Sequence, residues 1–169
     1  MHGQGHKGIA LLLYSPITYI LLEAGRPILA IGGLVTILFL SMLPDKDMVI
    51  ALLPHRGPTH TIWFAVLVGL GLAGLGVGIQ YGLDEIGVVA VAVPVAFLFF
   101  VGFCSVLFHI VGDSMTPSGV RPYKPISSHK HALGLTKSGS FIGNWAFYLL
   151  GLVANGVAVA IALQQHFLV

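Results

Sequence analysis

Five long apolar stretches punctuate the chain, at about 8–23, 27–43, 59–80, 86–111 and 139–163, each near or above the roughly 17 residues needed to cross about 30 Å of hydrocarbon. Within them polar and apolar residues do not alternate as they do along the strands of a membrane barrel, so each stretch predicts a helix. The expected fold class is all-α: a polytopic transmembrane helical bundle of about five spans, with residues 1–169 as a single integral membrane domain. The first stretch is short and holds Pro16, so it is expected to tilt, kink or pack deep within the bundle. Lys7 followed by Ile9–Leu22 has the outline of a signal peptide. Ala24-Gly25-Arg26-Pro27 is a poor small-residue cleavage site, however, so the segment is expected to be retained.

Composition sharpens this picture. Only 8% of the residues are charged and 56% are hydrophobic, against roughly 25% charged in an ordinary soluble domain. So few charges cannot cover a soluble fold, and the main solvent is expected to be lipid. A formal charge of +2 with no block of like charge gives no basis for nucleic acid as a partner. Cys104 is the single cysteine and sits in an apolar run, where packing is its expected role.

The distribution of charge gives an orientation. If the spans alternate, the N-terminus, 44–58 and 112–138 share one side, which holds Lys7, Lys46, Arg56, Arg121, Lys124, Lys130 and Lys137. The other side holds Arg26 with Glu23, Asp84 and Glu85. The positive-inside rule makes the first side cytoplasmic, with the N-terminus inside and the C-terminus outside an inner or plasma membrane. Trp63 and Trp145 fall near the cytoplasmic ends of their helices, where indole rings favour the interface. In the third stretch, Gly69 to Gly74 matches G-x-G-x-x-G but lacks the strand before it and the βαβ unit around it. The glycines there are read as small residues that let helices approach, as in Gly74-x-x-x-Gly78.

The same basic edge collects metal-ligand residue types in order: His6, Asp45 and Asp47, His55 and His60, His109 and Asp113, half of the chain's 8 His and 6 acidic residues. An ionisable group in hydrocarbon costs about 2.5–3.5 kcal/mol on insertion scales, so such residues are kept where they have a partner or a task. His109 and Asp113 are four apart at the end of a helix and project from one face. Such a pair either grips an ion or satisfies itself locally. Gly57 or Pro58 is placed to open the third helix, with His60 in its first turn, where the positive end of the dipole keeps imidazole neutral. Asp45-x-Asp47 offers two hard oxygen donors, or alternatively caps the short segment Met48 to Leu53. His129 and His131 are assigned to a polar loop, and nothing favours His2 or His166. Imidazole with carboxylate suits zinc first, with manganese or iron as alternatives, and these donors suffice for one or two divalent ions. Arg56, Arg121 and Lys124 stand where an anionic headgroup could be held, or simply meet anionic membrane lipids, the partners any such protein is expected to have.

Gly5-His6, Leu43-Pro44-Asp45-x-Asp47, His55-Arg56-Gly57-x-Thr59-His60 and His109-x-x-x-Asp113-x-x-Thr116-Pro117-x-Gly119-Val120, in this order, resemble the YdjM-like family of LexA-regulated, inner-membrane-associated proteins regarded as metal-dependent hydrolases. That family in turn resembles zinc-dependent phospholipases C and related nucleases, whose sites use His, Asp, His and a helical His-x-x-x-Asp. The resemblance implies His6, Asp45, His60, His109 and Asp113 as metal ligands. Met48 departs from it, since members often carry a His at that place.

The expected function is a membrane-bound metal-dependent hydrolase acting on phosphoesters of lipid or lipid-linked substrates at the cytoplasmic face. In it Asp47 is a ligand or general base, His55 and Arg56 orient substrate or stabilise charge, and Arg121 and Lys124 bind substrate. Two other classes use the same residues. A metal-ion transporter would place its site near the midplane with broken helices, whereas the deep spans here hold Cys104 and no acid. A scaffold with a structural metal would close the coordination shell and hydrolyse nothing.

Overall fold

The computed structural model describes residues 1–50, 54–88 and 93–167, with side chains described as far as 165. Five α-helices follow one another: α1 (Gly3–Glu23), α2 (Pro27–Leu40), α3 (Ile62–Glu85), α4 (Val95–Ser114) and α5 (Phe141–Phe167). Two short 3-10 turns, Pro44–Val49 and Pro58–His60, lie between α2 and α3. The chain is a polytopic helical bundle, with no strand among the described residues.

Among the described residues four stretches are long and apolar enough to cross a membrane: Pro27–Val49, Ile62–Glu85, Val95–Ser114 and Phe141–Gln165. Helix α1 is not among them, because its first turns carry Gln4, His6 and Lys7. It begins at Gly3 rather than near residue 8, so His6 lies on the helix and not ahead of it. Helix α1 packs along α5 and touches α2 and α4, and two of its polar groups are met by Asn155 of α5. The Thr18 hydroxyl donates to Asn155 Oδ1 at 2.9 Å, and Asn155 Nδ2 donates to the Leu11 carbonyl at 2.6 Å. Around this clasp the cluster of Ala10, Tyr14, Ile37, Val101, Cys104 and Phe108 forms the apolar core, so Cys104 is a packing residue as expected.

Two crossings are made close by small residues. A Cβ on Gly8 would strike the backbone of Phe147 and Tyr148, and one on Gly151 would strike the Gly8 carbonyl. Between α3 and α4, a Cβ on Gly102 would come within 2.9 Å of the Gly69 Cα. The expected Gly74-x-x-x-Gly78 contact is not where α3 packs, since both glycines face open space. At 3.6 residues per turn Gly69 and Gly76 share a face two turns apart, and that face meets α4 at Phe99 and Leu98. The outward faces stay apolar, with Ile28, Ile31, Val35 and Phe39 on α2 and Leu67 and Leu70 on α3 exposed as lipid-facing side chains are.

Helix boundaries moved for identifiable reasons. Thr61 caps α3 by accepting from the Phe64 N–H at 3.3 Å, so α3 starts at Ile62 and His60 sits in the turn before it, not in its first turn. Helix α4 runs on to Ser114, which carries both His109 and Asp113 on regular helix. Part of the expected start of the fourth span, residues 89–92, and the end of the expected segment Met48 to Leu53 lie outside the described residues.

Candidate metal centre

The start of α1, the turn after α2, the turn before α3 and the end of α4 all lie at one end of the bundle, and their polar side chains meet there. His6, His60, His109, Asp113 and Asp47 are each at most 1% exposed, and Asp45 is 11% exposed. Trp63 and Trp145 stand at the starts of α3 and α5, at this same end, half-exposed as interfacial rings should be.

Hydrogen-bond partners assign the protons of the two central imidazoles. His109 Nδ1 lies 2.7 Å from the Ser41 carbonyl, which can only accept, so Nδ1 carries a hydrogen, and in the neutral ring Nε2 is the lone pair. The Thr59 hydroxyl spends its hydrogen on Asp47 Oδ2 at 2.8 Å, so its oxygen accepts from His60 Nδ1 at 3.0 Å. In the neutral ring His60 Nε2 is likewise the lone pair. These two acceptors face each other at 3.1 Å. Asp45 Oδ1 lies 3.3 Å from His109 Nε2 and 3.4 Å from His60 Nε2, and Asp113 Oδ2 lies 3.7 Å and 3.4 Å from the same atoms. With both rings neutral, four acceptors converge there, a donor set that could hold a cation. A tetrahedral ion with ligands at about 2.0–2.2 Å spaces them about 3.3–3.6 Å apart, close to what is seen.

His6 extends the site. Its ring stacks on His109 with centroids 3.7 Å apart and 8° between planes, and neither of its buried ring nitrogens has a hydrogen-bond partner. Nε2 is 3.8 Å from Asp45 Oδ2 and 3.6 Å from Asp113 Oδ1. Each carboxylate thus turns one oxygen to the His60–His109 pair and the other to His6, the disposition of bridging ligands, which suits one ion or two. His6 fits beside α4 only because residue 112 is glycine: a Cβ there would lie 2.8 Å from His6 Nδ1.

The remaining groups hold the donors in place. Asp47 lies behind His60, 3.3 Å from Nδ1, and also accepts from His55 Nδ1 at 2.9 Å and from the Arg56 N–H at 3.1 Å. With its oxygens so engaged it orients His60, and among the described residues it belongs to none of the three donor groups that could hold an ion, His6–Asp45–His109, Asp45–His55–His60 and His60–His109–Asp113. Arg56 adopts φ +60°, the left-handed region that favours glycine. Its backbone is held there by Asp47, and its guanidinium donates to Asp113 Oδ1 at 2.8 Å and to the Gly119 carbonyl at 2.9 Å. Gly119 itself has φ +60° and no room for a side chain, since a Cβ would collide with the His131 carbonyl. The amino group of Met1 also donates to Asp113 Oδ1, at 2.7 Å.

A family model described as YdjM inner membrane protein matches residues 1–167. The chain belongs to that family. No curated protein and no solved structure matches it.

For this YdjM family chain, the five residues expected as ligands meet in one cluster with Asp47, His55 and Arg56 around them. Arg121 and Lys124 do not join it. Both are exposed on the segment after α4, and Lys124 lines a separate apolar groove of about 610 Å³ with Trp63, Phe64 and Leu67. The Ser41 carbonyl and Gly112 went unread in the sequence. A backbone acceptor leaves no mark in a sequence, and one glycine among 22 is not distinctive until a ring is found against it.

Proposed function

We propose that the chain is a metal-dependent hydrolase that cleaves phosphoesters of lipid or lipid-linked substrates at the cytoplasmic membrane face. The observation that carries this reading is the convergence of His60 Nε2, His109 Nε2, Asp45 Oδ1 and Asp113 Oδ2 on one buried point. His60, His109, Asp45 and Asp113 hold a divalent ion, zinc before manganese or iron, and His6 supplies a donor for a further one. An ion in such a place lowers the pKa of water and polarises a phosphoryl oxygen.

The surrounding residues divide the remaining work. Asp47 fixes His60 in the tautomer that presents Nε2, and Arg56 ties the segment before α3 to Asp113 on α4. His55 is 44% exposed with Nδ1 committed to Asp47, which leaves Nε2 at the rim to pass a proton. Hydrolysis adds the oxygen of water to phosphorus and releases an alcohol whose oxygen takes up a proton, so a rim imidazole has both roles available. Arg121 and Lys124 meet the anionic headgroup from outside the cluster. The seven bases at this end support a cytoplasmic placement.

A structural metal is the second reading, favoured by the spacing of the four donors, because a filled tetrahedron leaves no open position. One experiment separates the two. Detergent-purified protein is assayed for bound metal and for phosphate release from phospholipid and phosphoester substrates, beside His55→Ala. Hydrolysis that requires metal and falls at least 100-fold in His55→Ala, with metal retained, supports the hydrolase. Stoichiometric metal with no hydrolysis of any substrate class supports the structural reading, and metal-free folded protein overturns both.

A further inference from the structure

A second polar feature at the same end of the bundle is outside the metal cluster. A groove of about 440 Å³ runs between the end of α2 and the starts of α1 and α5, lined by Val35, Leu38, Phe39, Met42, Tyr148 and two lysines, Lys7 and Lys46. The lysines come from different elements, Lys7 from the second turn of α1 and Lys46 from the turn after α2. Both are exposed, and among the described residues neither ammonium has an ion-pair or hydrogen-bond partner. Each is the chain neighbour of a cluster residue: His6 turns into the bundle while Lys7 turns out, and Asp45 and Asp47 turn in while Lys46 turns out.

Two uncompensated ammonium groups lining one small groove are complementary in charge to an anion placed between them. The rest of the lining is apolar, and Phe39 and Val35 belong to the lipid-facing side of α2. We infer that this groove is a binding site for one anionic phospholipid, with its phosphate between Lys7 and Lys46 and an acyl chain along Val35, Leu38 and Phe39. The occupant is a lipid rather than free phosphate because the wall below the lysines lies in the membrane-crossing stretch Pro27–Val49, where only an acyl chain would cover it. Basic pockets between spanning helices are the expected form of such sites, at about five-fold in affinity for each lysine. The inference does not rest on the hydrolase reading: the site would bind a lipid even in a protein that hydrolyses nothing.

The test uses full-length protein in nanodiscs of phosphatidylcholine doped with a small fraction of spin-labelled phosphatidylglycerol, beside Lys7→Gln with Lys46→Gln. Lys130→Gln with Lys137→Gln removes the same charge from the loop before α5 and serves as the control. The expected result is a motionally restricted phosphatidylglycerol population that falls about 25-fold in relative affinity in the groove variant and less than three-fold in the control. Equal losses in both variants would mean general surface charge and overturn the site. Equal restriction of labelled phosphatidylcholine would do the same, and displacement by millimolar inorganic phosphate would overturn the choice of a lipid as occupant. Should the double variant fail to fold, Phe39→Glu keeps both lysines and adds an acid on the acyl wall. It must also release phosphatidylglycerol selectively.

Discussion

The two ends of the bundle carry acids of the same kind in opposite situations. At the far end Asp84 and Glu85 are exposed, and Asp84 accepts from Gln80, one turn away on the same helix, at 2.9 Å. At the near end Asp45, Asp47 and Asp113 are withdrawn from solvent and bound to residues 8 to 112 positions away in sequence. Solvated acids serve only their own turn, whereas buried ones tie four elements together and cost too much to keep without a positive partner. The near end is therefore where chemistry is to be sought, and substitutions at the two ends should behave as differently as their surroundings.

The largest difference is expected from His109→Ala with Asp113→Ala. Removing two of the four convergent acceptors should take bound zinc or manganese from near stoichiometric to less than a tenth per chain, read by elemental mass spectrometry on protein that still elutes as a folded species. Retention of metal by that variant would mean that the convergence of His60, Asp45 and His6 alone defines the site. Next comes Asp47→Asn, which leaves all four acceptors in place but weakens the hold on His60 Nδ1. Metal stoichiometry should survive at saturation while affinity falls about 10- to 100-fold in competition with a chelator, as for other groups that orient a ligand. An affinity equal to wild type would show that Thr59 alone fixes the His60 tautomer.

Gly112→Ala tests the packing that the near end requires. The added methyl would meet His6 Nδ1 at 2.8 Å, and the cost of such overpacking is about 1–3 kcal/mol in thermal or denaturant unfolding. Gly74→Ala, also in a helix interior but facing open space, should be neutral or stabilising by up to about 1 kcal/mol. If the two glycine variants behave alike, His6 is not held against α4.

Much of this contrast was legible in the sequence, and the parts that were not have a common cause. Apolar runs marked all five helices, and the order His6, Asp45, His60, His109, Asp113 marked the cluster, because alternating spans bring every second loop to one side. Three features needed coordinates. Asp45 and Asp47 look equivalent in the chain, yet one turns to the His60–His109 pair and the other stands behind His60, since the turn Pro44–Val49 sends neighbouring side chains in different directions. The start of α3 moved past His60 because Thr61, not Gly57 or Pro58, takes the cap. The docking of α1 on α5 through Thr18, the Leu11 carbonyl and Asn155 is a long-range pairing with no local pattern. Composition and period report what each segment is surrounded by, while tautomers, caps and lysine pairs are decided by what arrives from elsewhere in the chain.

The smallest expected effect belongs to the far end and is informative for that reason. Asp84 lies in the last turn of α3, where the helix dipole presents its negative end, so the carboxylate is slightly disfavoured and its bond with Gln80 is compensation within one turn. Asp84→Asn keeps an acceptor for Gln80 and removes the charge. Unfolding free energy should change by no more than about 0.5 kcal/mol, toward greater stability, and metal content should not change at all. A loss of metal on this substitution would mean that the two ends communicate through α3, whose turn of entry carries His60. A loss of stability beyond 1 kcal/mol would mean that Asp84 has a partner across the bundle, and the contrast between a solvated end and an interlocked one would then fail at its solvated side.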